Sequence, residues 1–308
     1  MNKIKYGVII ATHMPPLLLL FNTLKKLSSN PNIQIYVIDS SPEVTSIKIQ
    51  NYIHRIANNS LNPDFSKHHP RTRTLIKYFK VPNYGIGHNF NFGIKQAIKD
   101  NCDLITIFTD DVKVLDNRFP LEKIYRFFYN NCDSQKDVLI LPQNRAQLQK
   151  EIKKTVDSGM TFTKELFQKI RFREELILDQ IDFYFCGQVR MNGGKFIVYP
   201  EILIDVLTIG RETKNAERVL PMWRLYLLTR NSISIDLESN RKLRALQTDA
   251  FPQILHWSLS GIRSGQNTLG VLRAIFLGFM DGIPKKLGVT SNLQKLSGNR
   301  FSSRNCDI

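Results

Sequence analysis

The feature that most constrains this chain is a continuous apolar run, Leu104-Ile105-Thr106-Ile107-Phe108, that ends in Thr109-Asp110-Asp111-Val112. The run reads as a buried strand. Adjacent carboxylates at the end of such a strand are costly to a fold, because burying unpaired charge is unfavourable and like charges repel. A bound divalent cation removes that cost, so the pair reads as a metal and diphosphate site. A second acidic cluster, Asp179-Gln180-Ile181-Asp182, opens the segment Phe183-Tyr184-Phe185-Cys186 and supplies a candidate general base. Both clusters have plainer readings that stay open at this point. Aspartate favours strand-end turns and helix caps, and carboxylates in a first helical turn are stabilised by the helix dipole.

The same punctuation recurs along the chain. Tyr6 to Ala11 is a β-branched apolar run followed by the polar turn Thr12-His13-Met14-Pro15-Pro16 and a helical pattern from Leu17 to Leu27. Ile33 to Ile38 repeats the theme and ends in Asp39-Ser40-Ser41-Pro42. Strand, loop, helix, strand is the pattern of a parallel sheet with crossover helices. Ligands of such sheets sit beyond the carboxyl ends of the strands, where His13, Asp39 and Asp110-Asp111 all fall. Thr45 to Ala57 reads as a helix, and Thr74 to Val81 as a short strand after an exposed loop carrying His68-His69. Asn83 to Gly93 is rich in Gly and Asn, and is expected to be a turn leading into a helix from Ile94 to Lys99. Further on, helices are expected over Leu121 to Tyr129, Lys164 to Ile170, Ile181 to Met191 and Leu269 to Met280, strands over Val138 to Leu141 and Lys195 to Tyr199, and a frayed tail from Ser297.

Composition narrows the partners. The 308 residues carry a formal net charge of +16, with 42% hydrophobic and 23% charged residues, as in a soluble globular protein with an anionic partner. Nucleic acid is disfavoured because no nucleic-acid-binding signature is found. Cys102, Cys132, Cys186 and Cys306 are widely spaced, so neither zinc nor a disulfide framework is expected. The apolar stretch Leu17 to Phe21 is too short for a signal core or a membrane span.

With these elements in order, the chain resembles a family-2 glycosyltransferase of the GT-A fold, closest to its bacterial rhamnosyltransferase-like branch. The resemblance runs from the first strand to Asp281-Gly282-Ile283-Pro284-Lys285-Lys286-Leu287-Gly288. It implies an α/β fold: a Rossmann-like, mostly parallel sheet flanked by helices over residues 1–210, with a basic helical extension over 211–308. Ala11, Thr12 and His13 match the family's first nucleotide contact, and Asp39 the acidic residue after the second strand. Asn83, Gly85, Gly87, Asn89 and Asn91 match its donor-binding stretch. Thr109-Asp110-Asp111 matches its D-x-D position, which implies that Asp111 ligates Mg²⁺ or Mn²⁺ while Asp110 approaches the donor. Asp182 matches the family's base, with Asp179 in support and Gln188 where the family has arginine. Ser158, Gly159, Tyr226 and Arg230 are implied on the acceptor side. Leu207, three residues before Gly210, replaces the usual histidine ligand, which implies weak metal binding, a shell completed by water, or catalysis without a metal.

The activity implied is inverting transfer of rhamnose or a related hexose from a dTDP- or UDP-sugar to a saccharide or polyprenyl-diphosphate-linked acceptor, as in O-antigen or capsule synthesis. The implied location is the cytoplasm, peripheral to the inner face of the cell membrane and drawn to its anionic surface. Oligomerisation stays open. Two other readings compete. A sugar nucleotidyltransferase also uses a strand-end carboxylate and metal, but Thr12-His13-Met14-Pro15-Pro16 lacks that class's glycine-rich basic loop. A basic nucleic-acid or membrane-binding protein needs no carboxylates at strand ends.

Overall fold

The computed structural model describes residues 5–30, 32–59, 75–116, 119–148, 158–206, 212–214, 217–238 and 250–298. His68-His69, Leu207, Gly210, the 210/211 boundary and most of the tail therefore lie outside the described residues. The chain divides into two compact units. The first comprises Met1–Pro82, Asn89–Arg171 and Asn192–Leu207; the second comprises Asn83–His88, Phe172–Met191 and Thr208–Ile308.

The first unit is an α/β domain built on a seven-stranded, mostly parallel sheet. Strands β1 (Tyr6–Thr12), β2 (Ile33–Asp39), β3 (Leu75–Lys80) and β4 (Leu104–Thr109) run parallel in the order β3-β2-β1-β4. Beyond β4 the sheet continues through the antiparallel β7 (Met160–Phe162), then β6 (Val138–Ile140) and β8 (Phe196–Val198). Every residue of β1 is buried, because helices cover both faces of the sheet. Val8 and Ile10 share a core with Leu20, Leu24 and Leu27 of α1 (Leu17–Ser28) and with Ile49 and Ile53 of α2 (Glu43–Asn59). The alternate residues of β1 meet α3 (Ile86–Lys99) on the other face, where Gly7 lies against Ala97 and Gly93 against Ile9.

The helix α3 corrects the expectation of a turn over Asn83 to Gly93: it begins at Ile86, so Gly87, Asn89, Asn91 and Gly93 are helical. The reason is tertiary. A Cβ on Gly93 would stand 2.5 Å from Ile9 Cγ2 and 3.0 Å from Ile38 Cγ1, so glycine lets this helix approach the sheet at the cost of about 1 kcal/mol of helix propensity.

The second unit is mainly helical. Helix α7 (Ile181–Met191) belongs to it, as do α8 (Met222–Glu238), α9 (Ala250–Arg263), α10 (Thr268–Gly282) and α11 (Ser291–Ser297), together with the strand pair Glu212–Lys214 and Glu217–Val219. Gly278 and Gly282 bring α10 onto α8, where a Cβ on Gly278 would meet Thr229 Cβ at 2.7 Å and one on Gly282 would meet Arg230 O at 2.8 Å. Among the described residues, no helix is long and apolar enough to cross a membrane.

Candidate functional site

Strand register sets the place of the first acidic cluster. Thr12 pairs with Asp39, Asp39 with Lys80, and Ala11 with Thr109, so the carboxyl ends of the four parallel strands finish level. The crevice between β1 and β4, where connections leave in opposite directions, is the usual ligand position of such sheets. Asp110 sits there. Its Oδ2 accepts from the His13 backbone N–H at 2.9 Å and from Thr12 Oγ1 at 3.2 Å, which ties the end of β1 to the carboxylate pair. Burial is the largest cause of the rise of the Asp110 pKa to about 6, and the charge of Asp111 adds to it.

Asp111 follows in the turn between β4 and β5 (Val112–Val114), which pairs antiparallel with β9 (Ile204–Val206). Its Oδ1 accepts from Thr109 Oγ1. Thr109 also bonds Ser158, through its backbone N–H at 3.0 Å and between the two hydroxyls. Gly159 anchors that turn: its N–H donates to Ile107 O, its carbonyl accepts from Leu141 N, and at φ +93 a Cβ would lie 2.8 Å from Leu141 O. Ser158 and Gly159 are thus carried to the strand-end carboxylates by β7.

Asp39 is fully buried, with Oδ1 accepting from Ser41 N–H at 2.8 Å and Oδ2 from Tyr78 Oη at 2.6 Å. Its carboxylate organises the end of β2, and the neighbouring loop presents the polar groups. His13 Nδ1 donates to Ser40 O at 2.9 Å, and Asn89 Nδ2 donates to Ser40 Oγ at 3.2 Å. Asn89 Oδ1 is buried and takes no partner among the described residues. A buried acceptor without a donor costs about 1–3 kcal/mol, which a ligand N–H or O–H would recover. Ala11, Asn83 and Asn91 are buried as well.

Gly85 and Gly87 do something the sequence did not suggest. They let the chain's own backbone approach: a Cβ on Gly85, at φ +103, would lie 2.5 Å from Ile177 O, and one on Gly87 would lie 3.3 Å from Arg173 O. Ile86 N–H donates to Ile177 O at 2.8 Å, and His88 Nδ1 lies 3.0 Å from Glu174 Oε2.

That segment leads to the second acidic cluster, and its backbone is strained. Ile177, Asp179 and Gln180 have φ of 66, 50 and 67, a region that non-glycine residues seldom adopt. Side chains of α8 hold it there. Asn231 Nδ2 reaches the carbonyls of Leu176, Leu178 and Asp179 at 2.8, 2.7 and 2.9 Å. Arg230, fully buried, donates to Gly288 O at 2.6 Å and to Asn231 Oδ1 at 2.9 and 3.0 Å, and it lies over the Tyr226 ring at 5.6 Å. Burial draws its pKa down from the usual value. Arg224 binds both oxygens of Asp179, at 3.0 to 3.2 Å.

Asp182 comes next, in the first turn of α7, partly buried, with Oδ1 accepting from Phe183 N–H at 2.9 Å. Asp179, expected beside it as a supporting carboxylate, is engaged by Arg224. Tyr226 and Arg230, expected at the acceptor, lie inside the second unit; Tyr226 Oη donates to Asp281 Oδ2 at 2.7 Å. Arg224 and Asn231 lie with Tyr226 and Arg230 in the run Trp223 to Asn231, whose mixture of aromatic and basic residues is the signal that sequence offers for them.

The fold of the chain has solved counterparts. The mannosyltransferase PcManGT of Pyrobaculum calidifontis, solved in complex with GDP-Man and Mn²⁺, superposes with a TM-score of 0.55 at 12% identity, over 97% of this chain and 85% of that one. This chain has the GT-A fold. S. aureus TarS gives a TM-score of 0.54 at 18% identity over 95% of this chain, which spans half the length of TarS. At these identities the likeness to other GT-A structures is one of fold alone. No family model matches the chain, and no curated protein does either.

Proposed function

We propose that the protein is an inverting glycosyltransferase that moves a hexose, rhamnose or a close relative, from a dTDP- or UDP-sugar to a saccharide or polyprenyl-diphosphate-linked acceptor. The observation that carries this reading is the carboxylate pair at the β1/β4 crevice, held by Thr12 and His13 on one side and on the other by Thr109, which itself bonds Ser158. A nucleoside diphosphate suits that place: His13, Ser40 and Asn89 offer polar groups for base and ribose, with the unpartnered Asn89 Oδ1 as an acceptor.

The donor set fits a hard cation. Asp110 and Asp111 offer only oxygen, and the raised pKa of Asp110 marks a site with too much negative charge for its burial. Among the described residues, no group of three or more His, Cys, Asp or Glu side chains gathers there. The ion would therefore be held by Asp111, with Asp110 beside it, and completed by water and diphosphate oxygens, a shell that Mg²⁺ tolerates. When bound, it would offset the charge growing on the departing diphosphate.

The acceptor hydroxyl needs a base, and Asp182 is assigned that part by its match to the family motif. Arg224, Arg230 and Asn231 are positioning residues that hold the 176–179 backbone. The basic second unit favours a location at an anionic membrane surface, on the inner face.

Thermal shift with UDP, dTDP and GDP and their sugars, with and without Mn²⁺, tests donor recognition, since a ligand at a hundred times its Kd stabilises by about 2.7 kcal/mol. The expected result is stabilisation by dTDP- or UDP-sugars that Mn²⁺ enhances and that Asp111→Asn removes. Absence of a shift with every nucleotide overturns the reading.

A further inference from the structure

Helix α10 is apolar on two opposite faces. Val271, Ala274, Gly278 and Gly282 are buried, and the glycines fit against α8. On the opposite face Leu269, Leu272, Phe276, Met280 and Ile283 recur every three or four residues and are all exposed, with Leu269 at 76% and Phe276 at 62%. A helix that is apolar all round is normally covered on every side. The preceding helix α9 adds Phe251, Leu255 and Leu259, spaced by four and likewise exposed. Large apolar residues left exposed along two consecutive helices are surface that water disfavours.

The charge around the patch identifies what covers it. Between Ala250 and Gly298 the charged residues are Arg263, Arg273, Lys285, Lys286 and Lys295, all exposed, and one acid, Asp281. Asp281 is buried and accepts from Tyr226 Oη and Asn292 Nδ2. Lys285 lies 3.7 Å from Glu238, which also pairs with Arg173; Arg273 and Lys286 flank the stripe without a carboxylate beside them in this segment. Pairing of two copies through this face would bring like charges together with no exposed acid of the segment to offset them. An anionic bilayer complements both features. The 15 residues of α10 span about 22 Å, short of the roughly 30 Å of a hydrocarbon core, so the helix suits a position in the plane of the interface.

We infer that the exposed face of α10, continued by α9, is the surface that docks the protein onto an anionic phospholipid bilayer, with Leu272, Phe276 and Met280 entering the acyl boundary while Arg273 and Lys286 meet the headgroups. This deepens the proposed function, because a polyprenyl-diphosphate acceptor resides in such a bilayer. Flotation of the full chain with vesicles of phosphatidylcholine, alone or with 30% phosphatidylglycerol, tests it. The expected result is binding to the anionic vesicles at least about tenfold stronger than to the neutral ones, and a loss of at least about tenfold in the double variant Leu272→Asp/Phe276→Asp at an unchanged melting temperature. Phe276→Trp, which keeps the apolar character, should bind as wild type and give a blue-shifted emission on anionic vesicles. Undiminished binding of the double variant, or a tryptophan emission of the Phe276→Trp variant that vesicles leave unchanged, overturns the inference. So does a dimer in sedimentation that the double variant splits. Nucleotide-sugar thermal shifts on the same variants separate the two ideas: donor binding that survives in a variant or wild type lacking vesicle affinity leaves the function standing and removes only the docking face.

Discussion

The two acidic clusters are held in place by different means. At Asp110-Asp111 the scaffold is regular: four parallel strands end level, and the bonds that hold the carboxylates come from adjacent strand ends and the turn after β4. At Ile177 to Asp182 only a three-residue 3-10 turn, Glu174–Leu176, leads in. The backbone takes left-handed conformations at three non-glycine residues, kept there by Arg224, Arg230 and Asn231 of one helix and by the absence of a side chain at Gly85. A sheet positions groups through register, which is over-determined by many backbone bonds. A strained loop depends on a few side chains, and strain of about 1–3 kcal/mol per residue persists only while they are present.

Four substitutions sharpen or break that contrast. Asp182→Asn should lower kcat by about 10²–10⁴-fold while the melting temperature and nucleotide binding hold, in a transfer assay with purified protein. A fully active variant removes Asp182 as the base and leaves its loop without a catalytic purpose. Asn231→Ala strips the donor from three carbonyls and should cost about 3 kcal/mol in urea unfolding. A cost near zero would show that the loop keeps its shape unaided. In the sheet unit, Gly93→Val forces a side chain into Ile9 and Ile38 and should cost about 1–3 kcal/mol. The smallest effect is expected for Arg224→Gln, where the partly exposed pair with Asp179 contributes about 1 kcal/mol or less, read from a double-mutant cycle with Asp179→Asn.

Much of the first unit was legible in the sequence because its signals are local. The apolar runs at Tyr6, Ile33 and Leu104 became the central strands, and in the second unit Ile181 to Met191 became a helix with those ends. Asn83 to Gly93 was not legible, since glycine weakens a helix in isolation, and only the closeness of Ile9 and Ile38 explains Gly93. The three-residue strands Met160–Phe162 and Ile204–Val206 gave no periodic signal of their own; partners far along the chain make them strands. Tyr226 and Arg230 illustrate the same limit, because an aromatic and basic segment looks alike in sequence whether it faces a ligand or, as here, fills an interior.

Sequence alone determined the order of the central strands and their helices, the parallel sheet and the presence of carboxylates beyond a strand end, because periodicity and strand-terminal polarity are properties of neighbouring residues. Tertiary structure alone decided which groups those carboxylates meet, that Gly85 and Gly87 admit backbone, and that Arg224, Arg230 and Asn231 hold a strained loop. Those outcomes depend on distances between residues remote in sequence, set only when the chain packs.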